Sequence, residues 1–229
     1  MKETNMPKHI AFIMDGNRRW AVQHGLNKMA GHKKGAAVMK HMVELLCEYK
    51  DIKYASFFLF STENWKREKK ERDFIFDLAY DLLVENEKLW QEKQIKLVAM
   101  GDISKFPDKL KNQLIKVMKN SKNNTGLVVN LALNYGGRDD IAQAAQKVVD
   151  CHEEMTVENI GKHLYSYPAP DIDLLIRTSG EMRLSNFMLF QLAYSELYFT
   201  KSFWPVFSKR TLDKALKAYS KRNRRFGGQ

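Results

Sequence analysis

His9-Ile-Ala-Phe-Ile-Met-Asp-Gly-Asn-Arg-Arg-Trp20 changes character at one point, and that point decides the fold. The apolar run is too short for a buried helix and reads as a strand. Asp15-Gly16-Asn17 then breaks it, and Arg18-Arg19-Trp20 enters a helical stretch. The same grammar recurs along the chain. Tyr54–Phe60 is followed by Ser61-Thr-Glu-Asn-Trp65, and Leu127–Leu133 by Asn134-Tyr-Gly-Gly-Arg138. Ile172–Ile176 is followed by Arg177-Thr-Ser-Gly-Glu-Met-Arg183, and Ile95–Met100 reads as a further strand. Between these runs, Lys34–Tyr49, Asp73–Lys93, Pro107–Lys122 and Asp139–Cys151 carry apolar residues at helical spacing. Strand and helix in alternation predict a single α/β domain over residues 1–229, with a mostly parallel sheet flanked by helices. Ligands of such sheets bind at the carboxyl ends of the strands, where four polar clusters now fall together.

Composition narrows what those clusters can meet. The chain has 229 residues, 44% hydrophobic and 28% charged, which fits neither a disordered nor a fibrous protein. Lys and Arg number 38 against 27 Asp and Glu, a formal charge of +11 that points to polyanions: nucleic acid, an anionic membrane surface, or phosphorylated substrates. Aromatic residues interleaved with Lys and Arg on one exposed sheet face are not evident, which argues against a nucleic-acid-binding module. The two cysteines, Cys47 and Cys151, cannot form a metal site between themselves and read as reduced thiols. Met1–Pro7 lacks an apolar signal core, and no apolar run approaches bilayer length. The expectation is a soluble cytoplasmic protein.

The clusters have a specific chemistry. Gly16 permits close backbone approach, the amides that follow can hold a phosphate, and Arg18 or Arg19 supplies charge. Asp15 beside that phosphate is a hard oxygen ligand for magnesium; its plain alternative is a helix N-cap. Arg177, Arg183 and Ser185 form a second anion-binding set, since arginine grips phosphate oxygens bidentately. Ser185 could instead cap a helix over Asn186–Leu192. Two anion sets and one carboxylate imply two phosphorylated substrates and one metal. His32, in Gly31-His-Lys-Lys-Gly35, is by its spacing alone more readily structural, as Trp20 and Trp65 are more readily core residues. The run Lys66–Arg72 is either a solvated helix start or a loop over the site.

His9–Trp20, Ser61–Trp65, Asn134–Arg138 and Arg177–Phe199, with the tail Arg224–Gly228, resemble the signature regions of the cis-prenyltransferases, bacterial undecaprenyl diphosphate synthase in particular. The likeness runs nearly the whole chain in the same order. It implies a homodimer, a central six-stranded sheet and a hydrophobic tunnel. It also implies sequential condensation of isopentenyl diphosphate onto an allylic diphosphate such as farnesyl diphosphate, with cis double bonds, giving a polyprenyl diphosphate for a glycan-carrier lipid.

By position, the resemblance has Asp15 placing Mg2+ with support from Glu196. Gly16, Arg18, Arg19 and Lys28 would bind the allylic diphosphate, and Arg177, Arg183 and Ser185 isopentenyl diphosphate. Asn17, His32, Ser61, Asn64 and Arg67 match positions tied to the chemistry or its orientation. Trp65 and Glu71 would sit on a closing loop, and Trp20, Thr62, Glu63 and Leu184 complete the substrate-binding set. A basic surface and an insoluble product imply peripheral membrane contact.

Three departures stand out. Lys28 replaces an arginine and so loses the bidentate fork. Val206 replaces an aspartate. Leu59 and Leu133 stand at tunnel-facing positions where alanine is common, which predicts a shorter product. The alternatives are therefore a short- or medium-chain synthase of the same fold, and, given Val206, a non-catalytic partner subunit. Asp15, both arginines and Ser185 argue against the second.

Overall fold

The computed structural model describes residues 6–222, so the tail Arg224–Gly228 lies outside the described residues. Six strands form one sheet: β1 (His9–Ile13), β2 (Tyr54–Ser61), β3 (Lys96–Met100), β4 (Val128–Tyr135), β5 (Leu174–Arg177) and β6 (Glu196–Phe199). Their order across the sheet is β3-β4-β2-β1-β5-β6, and every pairing is parallel rather than merely most of them. Among the described residues seven α-helices lie between the strands and an eighth follows β6: α1 (Asn17–Gln23), α2 (Lys28–Leu46), α3 (Lys69–Glu85), α4 (Glu87–Glu92), α5 (Asp108–Ser121), α6 (Gly137–Asp150), α7 (Val157–His163) and α8 (Lys209–Ser220).

The central strand shows why a continuous apolar run was needed. All five residues of β1 are buried. Ile10 and Phe12 join a core with residues of α2, α3, α5 and α8, whereas Ala11 and Ile13 face a second core that includes Phe187 and Met188. Helices or coil cover both faces, as a parallel sheet requires.

Two expectations change, and β2 adds a bulge. The single helix over Asp73–Lys93 is two helices, because Asn86 departs to φ −111, ψ 9 and its buried side chain donates back to the Leu82 carbonyl at 2.8 Å. Asn186–Leu192 is not helical: Ser185, Asn186 and Met188 adopt φ of +50, +62 and +39, which a right-handed helix cannot contain. In β2 the register to β4 slips, with Phe58 opposite Ala132 and Phe60 opposite Leu133. Leu59 is thus the extra residue of a bulge, and both it and Phe60 contact the core that holds Leu133.

Candidate active site

The site is built where β1 and β5 end side by side. Ile13 pairs with Arg177, so the residues just beyond β1 meet the last residue of β5. The chain turns at Gly16 with φ +103, a conformation an L side chain rarely adopts. The turn is clamped through the Asp15 carbonyl, which accepts from Thr178 Oγ1 at 2.7 Å and from the Trp204 amide at 2.9 Å. A Cβ on Gly16 would lie 2.6 Å from Phe203 Cδ1 and 2.9 Å from Ser179 Oγ. Gly16→Ala should therefore cost about 2 kcal/mol and lower Tm by about 4–8 °C in a thermal melt. An unchanged Tm would contradict this account of the turn.

Arg177 is 2% exposed and donates four hydrogen bonds within the protein. Its Nε and Nη2 donate to Asp15 Oδ2 at 2.9 and 2.7 Å, and Nη1 donates to Ser185 Oγ at 2.8 Å and to the Arg183 carbonyl. Ser185 therefore caps no helix; its left-handed backbone presents the hydroxyl to Arg177. One further carboxylate, Glu181, bridges Arg19 Nη2 at 2.9 Å and Arg183 Nη1, and so ties the two anion-binding sets together. Arg19 also lies over the Phe203 ring, 5.6 Å from its centroid.

On the other side of the mouth, Glu71 in the first turn of α3 is the hub. Its side chain has no exposed surface. Three cations and one imidazole converge on it: Arg18 through Nε at 3.0 Å and through Nη2, Lys28 Nζ at 3.2 Å, Arg67 Nη1 at 3.3 Å and His32 Nε2 at 3.3 Å. Burial by itself would raise the Glu71 carboxyl, but the hydrogen bonds from Arg18 and Lys28 and the charges of Arg18 and Arg67 outweigh it and bring it to about 2. His32 is pushed below its ordinary value by burial and then by the Arg67 charge, against the pull of Glu71. It is thus a neutral imidazole near pH 7, with Nε2–H donated to the carboxylate. Lys28 also meets Glu68 at 2.8 Å. The cluster joins α1, α2 and the entry to α3 at one point.

Between these two clusters opens a cavity of about 650 Å3, within the range of small-ligand sites. Asp15, Asn17, His32, Ser61, Glu63 and Asn64 reach its wall, as do Arg67, Arg177, Arg183 and Ser185. Deeper, the lining is apolar: Met39 from α2, Ile75, Phe76 and Leu82 from α3, Leu110 and Leu114 from α5, and Leu59, Leu131 and Leu133 from the sheet. Charge at the mouth and hydrocarbon behind it define the kind of ligand: an anionic head with an apolar tail.

Several expected site residues stand elsewhere. Trp65 does not cover the mouth. It packs among Phe60, Phe76 and Phe106, with its indole N–H donating to Asn134 Oδ1 at 2.7 Å. Ser61 and Asn64 also shape the turn before α3, the Ser61 amide donating to Asn64 Oδ1 at 3.2 Å. Thr62 donates to Asp139 at 3.5 Å, Leu184 packs on the second core, and Trp20 lies against His24 with ring centroids 4.5 Å apart. Glu196 is not brought to Asp15. It begins β6, level with Leu174 and so about 10 Å of strand short of Arg177, and it pairs with Arg222 at 2.5 Å.

Gly31 and Gly35 serve packing, since a Cβ there would fall 2.0 Å from the Asn17 carbonyl oxygen and 2.4 Å from Asn17 Oδ1. The residues that composition could not have shown are Glu71 as a hub and Glu181 as a bridge; Glu71 lies in a charged run that reads as solvated surface, and Glu181 lies inside the Arg177–Arg183 cluster, whose arginines alone signal anion binding.

A parallel α/β protein with paired cation clusters over an apolar cavity is a class defined by geometry, and comparison with known proteins gives it a family. The prenyltransferase family model described as undecaprenyl diphosphate synthase matches residues 13–227. An isoprenyl transferase of Wolinella succinogenes is 40% identical over 228 residues, covering 100% of both chains. A ditrans,polycis-undecaprenyl-diphosphate synthase of Vibrio vulnificus, described as specific for (2E,6E)-farnesyl diphosphate, is 41% identical over 97% of this chain and 91% of its own. The crystal structure of lavandulyl diphosphate synthase from Lavandula x intermedia, in complex with dimethylallyl diphosphate, superposes with a TM-score of 0.91 at 35% identity, over 97% of this chain and 98% of that one. The chain belongs to the undecaprenyl diphosphate synthase family of prenyl transferases.

Proposed function

We propose that this chain condenses isopentenyl diphosphate sequentially onto an allylic diphosphate, with farnesyl diphosphate as primer and cis geometry at each new double bond. The observation that carries the reading is the cavity itself, with Asp15 and Arg177 at its mouth and Leu59, Leu131 and Leu133 lining its depth. In each cycle the allylic C1–O bond breaks and inorganic diphosphate leaves. The terminal CH2 carbon of isopentenyl diphosphate bonds to C1, and a proton is lost from its C2. Arg18, Arg19, Lys28 and Arg67 would hold the departing diphosphate, and Arg177, Arg183 and Ser185 that of the incoming unit. The diphosphate oxygens are the acceptor we assign for the C2 proton, with Asn17 and Ser61 orienting. Hydrocarbon walls keep water from the allylic cation. The growing chain would run down the cavity as a tunnel.

A divalent cation fits this site. Both hydrogen bonds that the described residues make to the Asp15 carboxylate land on Oδ2, which leaves Oδ1 on the cavity wall without a donor among them. Magnesium is held by one or two carboxylates together with substrate phosphates, so Asp15 suffices from the protein. When bound, Mg2+ would neutralise charge on the leaving diphosphate. We further assign a homodimer and a reversible, salt-sensitive contact with anionic membrane. The described residues contain no helix long and apolar enough to cross one.

Two results test this reading, one on the substrate sites and one on product length. Arg183 is 60% exposed and Arg177 is 2% exposed, so their roles separate on mutation. Arg183→Ala should raise KM for isopentenyl diphosphate by about 10- to 100-fold and leave the allylic KM nearly unchanged, the worth of one charge-assisted contact. Arg177→Ala also strips Asp15 of its partner and should lower kcat as well. Equal KM effects from Arg183→Ala on both substrates would show the two sites reversed.

The second result concerns length. Leu59 and Leu133 both reach the cavity wall, and close-packed walls do not yield to a growing chain. The Leu59→Ala, Leu133→Ala double variant should give a longer product than the parent on chromatography. Identical profiles would remove these leucines from length control.

A further inference from the structure

We infer that Cys151, Glu153 and His163 form a site for a transition-metal dication of the zinc class, separate from the substrate cavity. The three side chains offer one sulfur, one carboxylate oxygen and one imidazole nitrogen, and these atoms all lie within 4.8 Å of one another. That donor set is the mixture zinc selects, whereas magnesium, which takes oxygen almost alone, would find a single carboxylate here.

The geometry is nearly that of a bound state. His163 Nε2 and Glu153 Oε2 are already 3.1 Å apart. Two ligand atoms bonded to zinc at about 2.0–2.1 Å in a tetrahedron lie about 3.3 Å from each other, and a thiolate lies about 3.6 Å from either. Closing the triad therefore needs side-chain shifts of about 1 Å and no movement of the fold. Solvent would supply the fourth ligand, since Cys151 and Glu153 are exposed.

The backbone holds all three in place. Cys151 caps α6, its amide donating to the Lys147 carbonyl at 2.9 Å. The chain then reverses through His152 at φ +56, and the Glu153 amide donates to the Val148 carbonyl at 3.0 Å, so Cys151 and Glu153 sit on one tight turn. His163 ends α7, and Gln143 of α6 donates to its carbonyl oxygen at 2.9 Å. A metal here would clip α7 to the far end of α6, the end away from the Gly137 that follows the site edge of β4. Cys47 is not part of the cluster.

Cobalt(II) titration of the full chain, reduced with a phosphine, tests this directly. We expect one equivalent to bind with a near-ultraviolet sulfur-to-cobalt charge-transfer band and visible bands of a four-coordinate ion, displaced by Zn2+ and not by excess Mg2+. Cys151→Ser should abolish the charge-transfer band, Cys47→Ser should leave it unchanged, and His163→Ala should weaken binding by about tenfold or more. Circular dichroism of each variant keeps a folding defect from passing as lost binding. Absence of the band in the parent chain, its persistence in Cys151→Ser, or displacement by Mg2+ would each overturn the inference.

Discussion

Asp15→Asn should lower kcat about a thousandfold with little change in Tm, whereas Asp15→Ala should lose activity and stability together. The difference follows from what the carboxylate does twice. Toward the cavity it offers Oδ1 to a cation, and losing that negative charge removes electrostatic support from the departing diphosphate, an effect of the size seen for other preorganised sites. Toward the protein it accepts two hydrogen bonds on Oδ2 from Arg177, a guanidinium that is 2% exposed. Alanine would leave that charge buried with Nε and Nη2 unpaired, and removing one partner of such a pair costs about 3–5 kcal/mol. Asparagine keeps an acceptor oxygen there. Single-turnover rates and thermal melts of both variants check this. A Tm for Asp15→Ala equal to the parent's would show that Arg177 does not depend on Asp15.

Glu71→Gln should raise the allylic KM about tenfold, leave the KM for isopentenyl diphosphate within about twofold, and lower Tm by about 4–8 °C. The amide cannot answer Arg18, Lys28 and Arg67 at once, so the cations lose the charge that holds them convergent. Arg18 and Lys28 are 50% and 36% exposed, so solvent screens part of the loss and about 2 kcal/mol is the expected scale rather than the full cost of a buried pair. The pH dependence gives an independent readout. Folding lowers the Glu71 carboxyl from the usual 4.5 to about 2, so its contribution is fully present above 4.5 and is lost as pH falls through 2. The parent should lose stability over that window and Glu71→Gln should lose less. Parallel acid limbs in the two proteins would contradict the hub.

The strands at the centre of the sheet were legible because burial on both faces demands an unbroken apolar run, as in Ile10–Ile13 and Leu131–Leu133. β6 was not, since Glu196-Leu-Tyr-Phe199 is only half-buried at the sheet's edge and carries a charge; only the likeness to a family supplied a sixth strand. The break at Asn86 leaves no mark in the sequence, because apolar spacing continues across it. The placement of Asp15, Arg177 and Ser185 followed from strand ends alone. Glu71 did not, because Lys66-Arg-Glu-Lys-Lys-Glu-Arg72 is indistinguishable by composition from a solvated helix start. Its burial depends on Arg18 and Lys28 arriving from α1 and α2. The indole of Trp65 was expected over the cavity and is instead packed beside it, held by an aromatic cluster whose members come from β2, α3 and the loop before α5.

The most direct measurement is the product profile of the purified chain with Mg2+, radiolabelled isopentenyl diphosphate, and either geranyl or farnesyl diphosphate as primer. Mg2+-dependent incorporation of several labelled units with cis double bonds, ending at or below undecaprenyl length, is the expected result. Label that stays in isopentenyl diphosphate with every primer, or incorporation that Asp15→Asn leaves intact, would contradict it.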